Sequence, residues 1–163
     1  MTLLLKNLLF TFVVPGTVAV YLPLAIVSAR EPASGGWLAV GLALLLVGAA
    51  IYGWCVYDFA TFGRGTPAPI DAPSRLVVRG LYRYTRNPMY LGVLTVILGW
   101  VALYRSAALG AYAIAVAAAF SLFIVLYEEP HLRRAFGDEY EAYRARVPRW
   151  LPSLREVHRD PKT

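Results

Sequence analysis

The sequence predicts an all-α integral membrane protein of about four transmembrane helices, with a C-terminal amphipathic helix over their mouth. Three observations carry this expectation. Four uncharged apolar runs are long enough, or nearly so, to cross hydrocarbon. Fourteen of the sixteen Lys and Arg side chains fall on one side of those runs. Near the C-terminus an apolar and aromatic stripe recurs at helical spacing. Hydrophobic residues make up 58% of the 163 and charged residues 16%, and mean hydropathy is +0.53. That balance is too apolar for a soluble domain.

The first run, Leu8–Ser28, carries no charge and is interrupted only by Pro15, Gly16 and Pro23, which membrane helices tolerate. Val27-Ser28-Ala29 resembles a signal cleavage site, but signal h-regions span only about 7–15 residues. The second run, Trp37–Tyr57, has Trp37 at one end and Trp54 and Tyr57 at the other, where aromatic belts sit. The third, Met89–Tyr104, is shorter, roughly 24 Å of helix, so it stands nearly upright or starts deeper. The fourth, Ala107–Tyr127, follows after only Arg105 and Ser106, which predicts a tight helical hairpin. Within it Ala107, Ala111, Ala115 and Ala119 form one ridge and Ala113, Ala117 and Ser121 a second. Small ridges let helices approach closely, so this helix is expected to be buried among the others.

Positive charge sets the orientation. Lys6, the arginines from Arg64 to Arg86 and those beyond Arg133 share one side, while only Arg30 and Arg105 lie on the other. Both termini and the Asp58–Pro88 loop are therefore expected in the cytoplasm. The chain reads as one membrane domain over 1–163: two spans in 1–57, a cytoplasmic loop at 58–88, a hairpin at 89–127 and a cytoplasmic segment at 128–163. Thr66–Pro73 reads as an extended Pro-rich connector. The net charge of +6 does not argue for nucleic acid, because the charges sit between apolar spans instead of forming a soluble basic face. The single Cys55 excludes an intrachain disulfide.

Polar chemistry concentrates at the inner ends of the last two spans. Arg79 to Gly92 runs from the basic loop into span three, with Arg86-Asn87 before Pro88 at a helix start, where free N–H groups favour an anion. The same residues would also serve as a positive-inside anchor with an Asn cap. At the end of span four stands Glu128-Glu129-Pro130-His131. Either the helix ends there, with carboxylates at an unfavourable pole, or Pro130 opens a new helix that they suit. Glu128 and His131 have the spacing of a bridged metal site, but no second copy exists on the other spans. No metal is expected. Farther on, Leu132, Phe136, Tyr140, Tyr143 and Val147 make one stripe, with Glu139 and Arg146 at its edge and directed toward whatever it covers.

Arg86-Asn87-Pro88-Met89-Tyr90-Leu91-Gly92, followed by Glu128-Glu129, Leu132, Phe136-Gly137, Tyr140, Tyr143 and Arg146-Val147-Pro148, closely resembles the isoprenylcysteine carboxyl methyltransferase and phospholipid methyltransferase superfamily. The resemblance covers roughly residues 63–152, including a 63–69 connector of the kind seen in bacterial members, and it implies a bacterial inner-membrane protein. It also implies S-adenosylmethionine as cofactor. By similarity Arg86, Asn87, Tyr90, Leu91 and Gly92 line its pocket, Gly92 because it lets the cofactor approach the backbone. Glu128 and Glu129 contact its ribose or amino group, and Tyr140, Tyr143 and Arg146 close the site. The usual Arg-His-Pro appears as Arg86-Asn87-Pro88, which replaces a titratable group by a neutral donor and acceptor.

Methyl transfer from a sulfonium needs in-line placement of the acceptor and exclusion of water. A carboxylate acceptor needs no base, and Arg146 would orient it, with Glu129 the second catalytic candidate. An amine needs a base among Glu128, Glu129 and Glu139. The implied acceptor is amphiphilic and lipid-like, most like an isoprenylcysteine carboxyl, with a phospholipid amine as the alternative. A proton-coupled exporter would need an ionisable group within the spans, which have none. A non-catalytic scaffold would explain the hydropathy but not the ordered polar clusters.

Overall fold

A computed structural model describes residues 3–63 and 75–151; the connector expected at 66–73 lies outside the described residues. The described chain is helical. Helices α1 (Leu3–Gly16) and α2 (Leu22–Ile26) run on through a π turn at Thr17–Tyr21, α3 is Gly36–Asp58, α4 is Pro88–Tyr104, α5 is Ala107–Phe123 and α6 is Glu129–Arg146. Leu9–Ile26, Gly36–Gly63 and the helix beginning at Ala107 are long and apolar enough to cross a membrane, and α4 is a shorter apolar helix. The protein is an all-α integral membrane protein.

Proline explains the first π turn. In an α-helix the N–H of residue 23 would bond the carbonyl of Ala19, but Pro23 has none. The freed carbonyls find side-chain donors instead: Trp100 Nε1–H reaches Ala19 O at 2.8 Å and the Tyr112 hydroxyl reaches Val18 O at 2.7 Å. Those bonds anchor the first span to α4 and α5 in a medium that offers no water as substitute.

The most extensive helix contact is α3 against α4. Its seam is built on glycines seven residues apart, Gly41 and Gly48 on α3 and Gly92 and Gly99 on α4. A Cβ on Gly48 would stand 2.7 Å from Gly92 O, one on Gly92 3.0 Å from Tyr52 N, and one on Gly99 2.9 Å from Leu45 N. Backbones this close gain dispersion and shed no polar cost. At the far end Arg105, left-handed at φ 47, and Ser106, whose hydroxyl accepts from Leu109 N–H, close the expected α4–α5 hairpin.

The alanine ridge departs from expectation. Ala107, Ala111, Ala115 and Ala119 are exposed, and α5 buries Leu109, Ala113 and Val116 instead. Burial follows Ala113's ridge and not Ala107's, because that ridge faces α4 and the first span, where Ala113 and Val116 cluster with Ala19, Val93 and Ile97. Between the two alternatives at Pro130, neither holds as a break: α5 passes through a π turn at Ile124–Glu128 straight into α6. Glu129 N–H bonds Ile124 O, which absorbs the donor that Pro130 lacks. Glu129 therefore stands inside a continuous helix, at neither a free start nor a free end. Gly137, at φ 50 and ψ −124, breaks α6 internally. The stripe survives this break, since Leu132 and Phe136 pack on the buried cluster of Leu76, Tyr140, Tyr143 and Val147.

Candidate active site

Glu128, Glu129, Tyr140 and residues 148–150 meet the start of α4. The carbonyl groups of Pro148, Arg149 and Trp150 form a strap across Thr85–Asn87. Arg86 N–H donates to Pro148 O at 2.9 Å, Asn87 Nδ2–H to Arg149 O at 3.0 Å, and the Thr85 hydroxyl is shared between Arg149 O and Trp150 O. Thr85 and Asn87 are buried, so these bonds satisfy groups that would otherwise be costly. The side chain of Arg149 turns inward from the strap. It grips Glu129 with two parallel bonds, Nε to Oε1 at 2.8 Å and Nη2 to Oε2 at 3.0 Å. Arg86 Nη1 adds a third to Oε1 at 2.9 Å and donates to the Tyr140 hydroxyl oxygen at 3.1 Å.

Glu129 and Glu128 are adjacent in sequence and opposite in circumstance. Both lie beyond Tyr127, where the apolar run of span four ends. Burial pushes the Glu129 carboxyl up, but the Arg149 bonds and the Arg86, Arg149 and Arg133 charges outweigh it and hold it below the usual range. The bonds to Glu129 in turn raise Arg149 above its ordinary value. Glu128 has no guanidinium partner among the described residues. Burial pushes its carboxyl up, the Tyr90 hydroxyl bonded to Oε2 at 2.7 Å opposes that, and the Glu129 charge adds to it. Oε1 of Glu128 makes no hydrogen bond among the described residues.

Beside this cluster lies a cavity of about 670 Å³. Its polar lining includes Tyr82, Arg86, Tyr90, Glu128, His131 and Tyr143, and its apolar lining comes from Phe10 and Val14 of α1, Val18 of the first π turn, Tyr52 of α3, and Ala119, Phe120 and Phe123 of α5. Leu132 and Phe136 of the stripe also line it. The Nε of Arg86 is buried without a partner, an uncommon condition that costs on the order of 1–3 kcal/mol unless a ligand supplies an acceptor.

The family model for phospholipid methyltransferases matches residues 37–139. The chain belongs to this family. No curated protein and no solved structure matches it. The match begins at the start of α3 and ends just past the break at Gly137, so α1 and the whole strap lie beyond it.

For a phospholipid methyltransferase family member, the predicted site residues divide cleanly. Arg86, Tyr90, Glu128 and Tyr143 line the cavity. Asn87 does not: its amide is committed to the strap carbonyl of Arg149, a bond a neutral donor can make. Gly92 faces α3, and the space its missing Cβ leaves holds Gly48 O, Tyr52 N and Ile51 Cγ2, so its openness serves helix packing and not a cofactor. Leu91 does not line the cavity, and Tyr140 and Glu129 stand behind it in the arginine clamp. Arg146 and Glu139, expected to point under the stripe, are exposed, with Arg146 Nε bonded to Ala142 O of its own helix. Three residues that reasoning from the sequence passed over belong to the site: Arg149, Tyr82 and His131. In the sequence His131 carries only the spacing of a metal ligand, and Arg149, three residues past the end of α6, has no motif to mark it.

Proposed function

We propose that the protein is an S-adenosylmethionine-dependent methyltransferase that modifies an amphiphilic, lipid-like acceptor at the cytoplasmic boundary of the membrane. One observation carries this reading: Arg86, whose buried Nε has no partner among the described residues, and Glu128, whose Oε1 makes no hydrogen bond among them, both line the cavity. An amino-acid zwitterion asks for that pair, an acceptor for its ammonium and a donor for its carboxylate. The residues therefore fit the cofactor. When bound, it supplies an activated methyl group on a sulfonium sulfur.

The chain's own residues do the rest. Arg86 and Glu128 hold the two charges of the amino-acid end. Tyr82, Tyr90 and Tyr143 wall the site with aromatic faces, which favour a cation and exclude water. The apolar lining, from α1 and α5, receives the hydrocarbon part of the acceptor and brings it in from the bilayer. An amine acceptor is favoured, because Arg86, the one arginine lining the cavity among the described residues, is taken by the cofactor's carboxylate and Arg146 is exposed and bonded to its own helix, which leaves no second guanidinium to orient an acceptor carboxylate. With Glu128 engaged by the cofactor's ammonium, His131 is the base in the lining that takes the amine's proton. Carboxyl methylation is the second reading, and it would draw on Arg86 Nε for the acceptor in place of the cofactor.

Radiolabelled methyl transfer by the purified protein in nanodiscs separates these readings. Label should enter a lipid with a primary-amine headgroup and not its water-soluble, chain-free analogue. Label in a prenylated carboxyl acceptor alone would select the second reading, and equal labelling of the soluble analogue would contradict a lipid-like acceptor.

A further inference from the structure

We infer that Arg149 is a positioning residue that keeps Arg86 available to the cavity by occupying the carboxylate that Arg86 would otherwise pair with. The inference rests on the cofactor reading above. Glu129 offers two oxygens, and Arg149 takes both, through Nε at 2.8 Å and Nη2 at 3.0 Å. Arg86 is left a single bond, Nη1 to Oε1, with its second Nη1 contact on the Tyr140 hydroxyl. Its Nε remains without a partner, buried on a residue that lines the cavity. A guanidinium beside an unclaimed carboxylate prefers the two-pronged arrangement, which uses Nε or both terminal nitrogens at once. Were Arg149 absent, Oε2 of Glu129 would be bare and buried, and Arg86 would turn to cover it. That turn withdraws the donor that the ligand needs.

The main chain of the strap does not depend on this side chain. Thr85 and Asn87 bond the carbonyl of residue 149, which any substitution keeps. Arg149→Ala should therefore leave the strap in place while changing the partner of Arg86. A lysine there supplies the charge but one point of contact, so it meets only one Glu129 oxygen.

The test is calorimetric titration of S-adenosylmethionine into purified protein in nanodiscs, with melting of the ligand-free protein as the check on folding. Arg149→Ala should weaken binding tenfold or more, and Arg149→Lys by an intermediate factor. The deciding variant is the double substitution. Glu129→Gln removes the carboxylate that captures Arg86, so in the Arg149→Ala background it should recover at least threefold in affinity. A residue that merely supports the fold would show the opposite, a double variant as weak as the single one or weaker. Unchanged binding by Arg149→Ala, or no recovery on adding Glu129→Gln, overturns the inference. If Arg149→Ala does not fold, Arg149→Lys with and without Glu129→Gln gives the same comparison. Wild-type protein that binds no cofactor at all would instead overturn the functional reading, and this inference with it.

Discussion

Two neighbouring carboxylates show how far a single helical step separates roles. Glu129, 6% exposed, is a structural anion held by two guanidiniums, whereas Glu128 has only the Tyr90 hydroxyl and faces the cavity. Because the folded protein holds the Glu129 carboxyl below its ordinary 4.5, the unfolded chain takes up a proton first as pH falls. The stabilisation is thus present above that value and is lost as the pH drops below it. Glu129→Gln should remove this acid limb from the melting profile. It should also cost on the order of 3 kcal/mol at neutral pH, at the low end because Arg149 is about a third exposed. A Glu129→Gln profile with the same acid limb as wild type would contradict the clamp. At this scale the motif residues were legible because their order along the chain is distinctive. Their aim was not, since Asn87, Gly92 and Arg146 differ from Arg86 and Tyr90 in which neighbour each position faces, and that depends on α3 and on the strap.

At the scale of elements, the spans were readable from charge-free length, but their interruptions were not. A π turn inserts one residue into the helical period, and hydropathy averaged over a span does not register it. The turn at Thr17–Tyr21 depends on donors from distant helices, which predicts that Trp100→Phe strands the Ala19 carbonyl in hydrocarbon and lowers stability by about 1–2 kcal/mol. Unfolding in mixed micelles measures it, and a Tyr112→Phe variant should behave alike through Val18. The glycine seam was equally present in the sequence, at 41 and 48 and again at 92 and 99, seven residues apart. It went unread at Gly92 because the family resemblance offered another reason for that glycine. Gly92→Leu should reduce folded yield and stability by about 1–3 kcal/mol, through backbone contacts near 3 Å that cannot yield. Intact stability with selective loss of cofactor affinity would restore the original role.

On the scale of the whole molecule, one end gathers the polar apparatus. Asp58, the Thr85–Asn87 loop, Glu128 to His131 and the strap meet there, while Arg30, Ala33 and the Arg105 turn occupy the other. The asymmetry of fourteen basic residues to two was visible from the sequence and agrees with this polarity. What could not be read from it is that α1, outside the family match, supplies part of the apolar lining of the cavity, since a hydrophobic helix carries no mark of the neighbour it will choose. The account stands on the cavity as a site for a zwitterionic methyl donor. Its most direct test is titration of S-adenosylmethionine into the wild-type protein and into Arg86→Met and Glu128→Gln, each in nanodiscs. The account predicts saturable binding by the wild type and a loss of roughly ten- to hundredfold in each variant, corresponding to a charge-assisted bond worth about 1.5–3 kcal/mol. Wild-type binding that neither substitution weakens would place the cofactor elsewhere and contradict it.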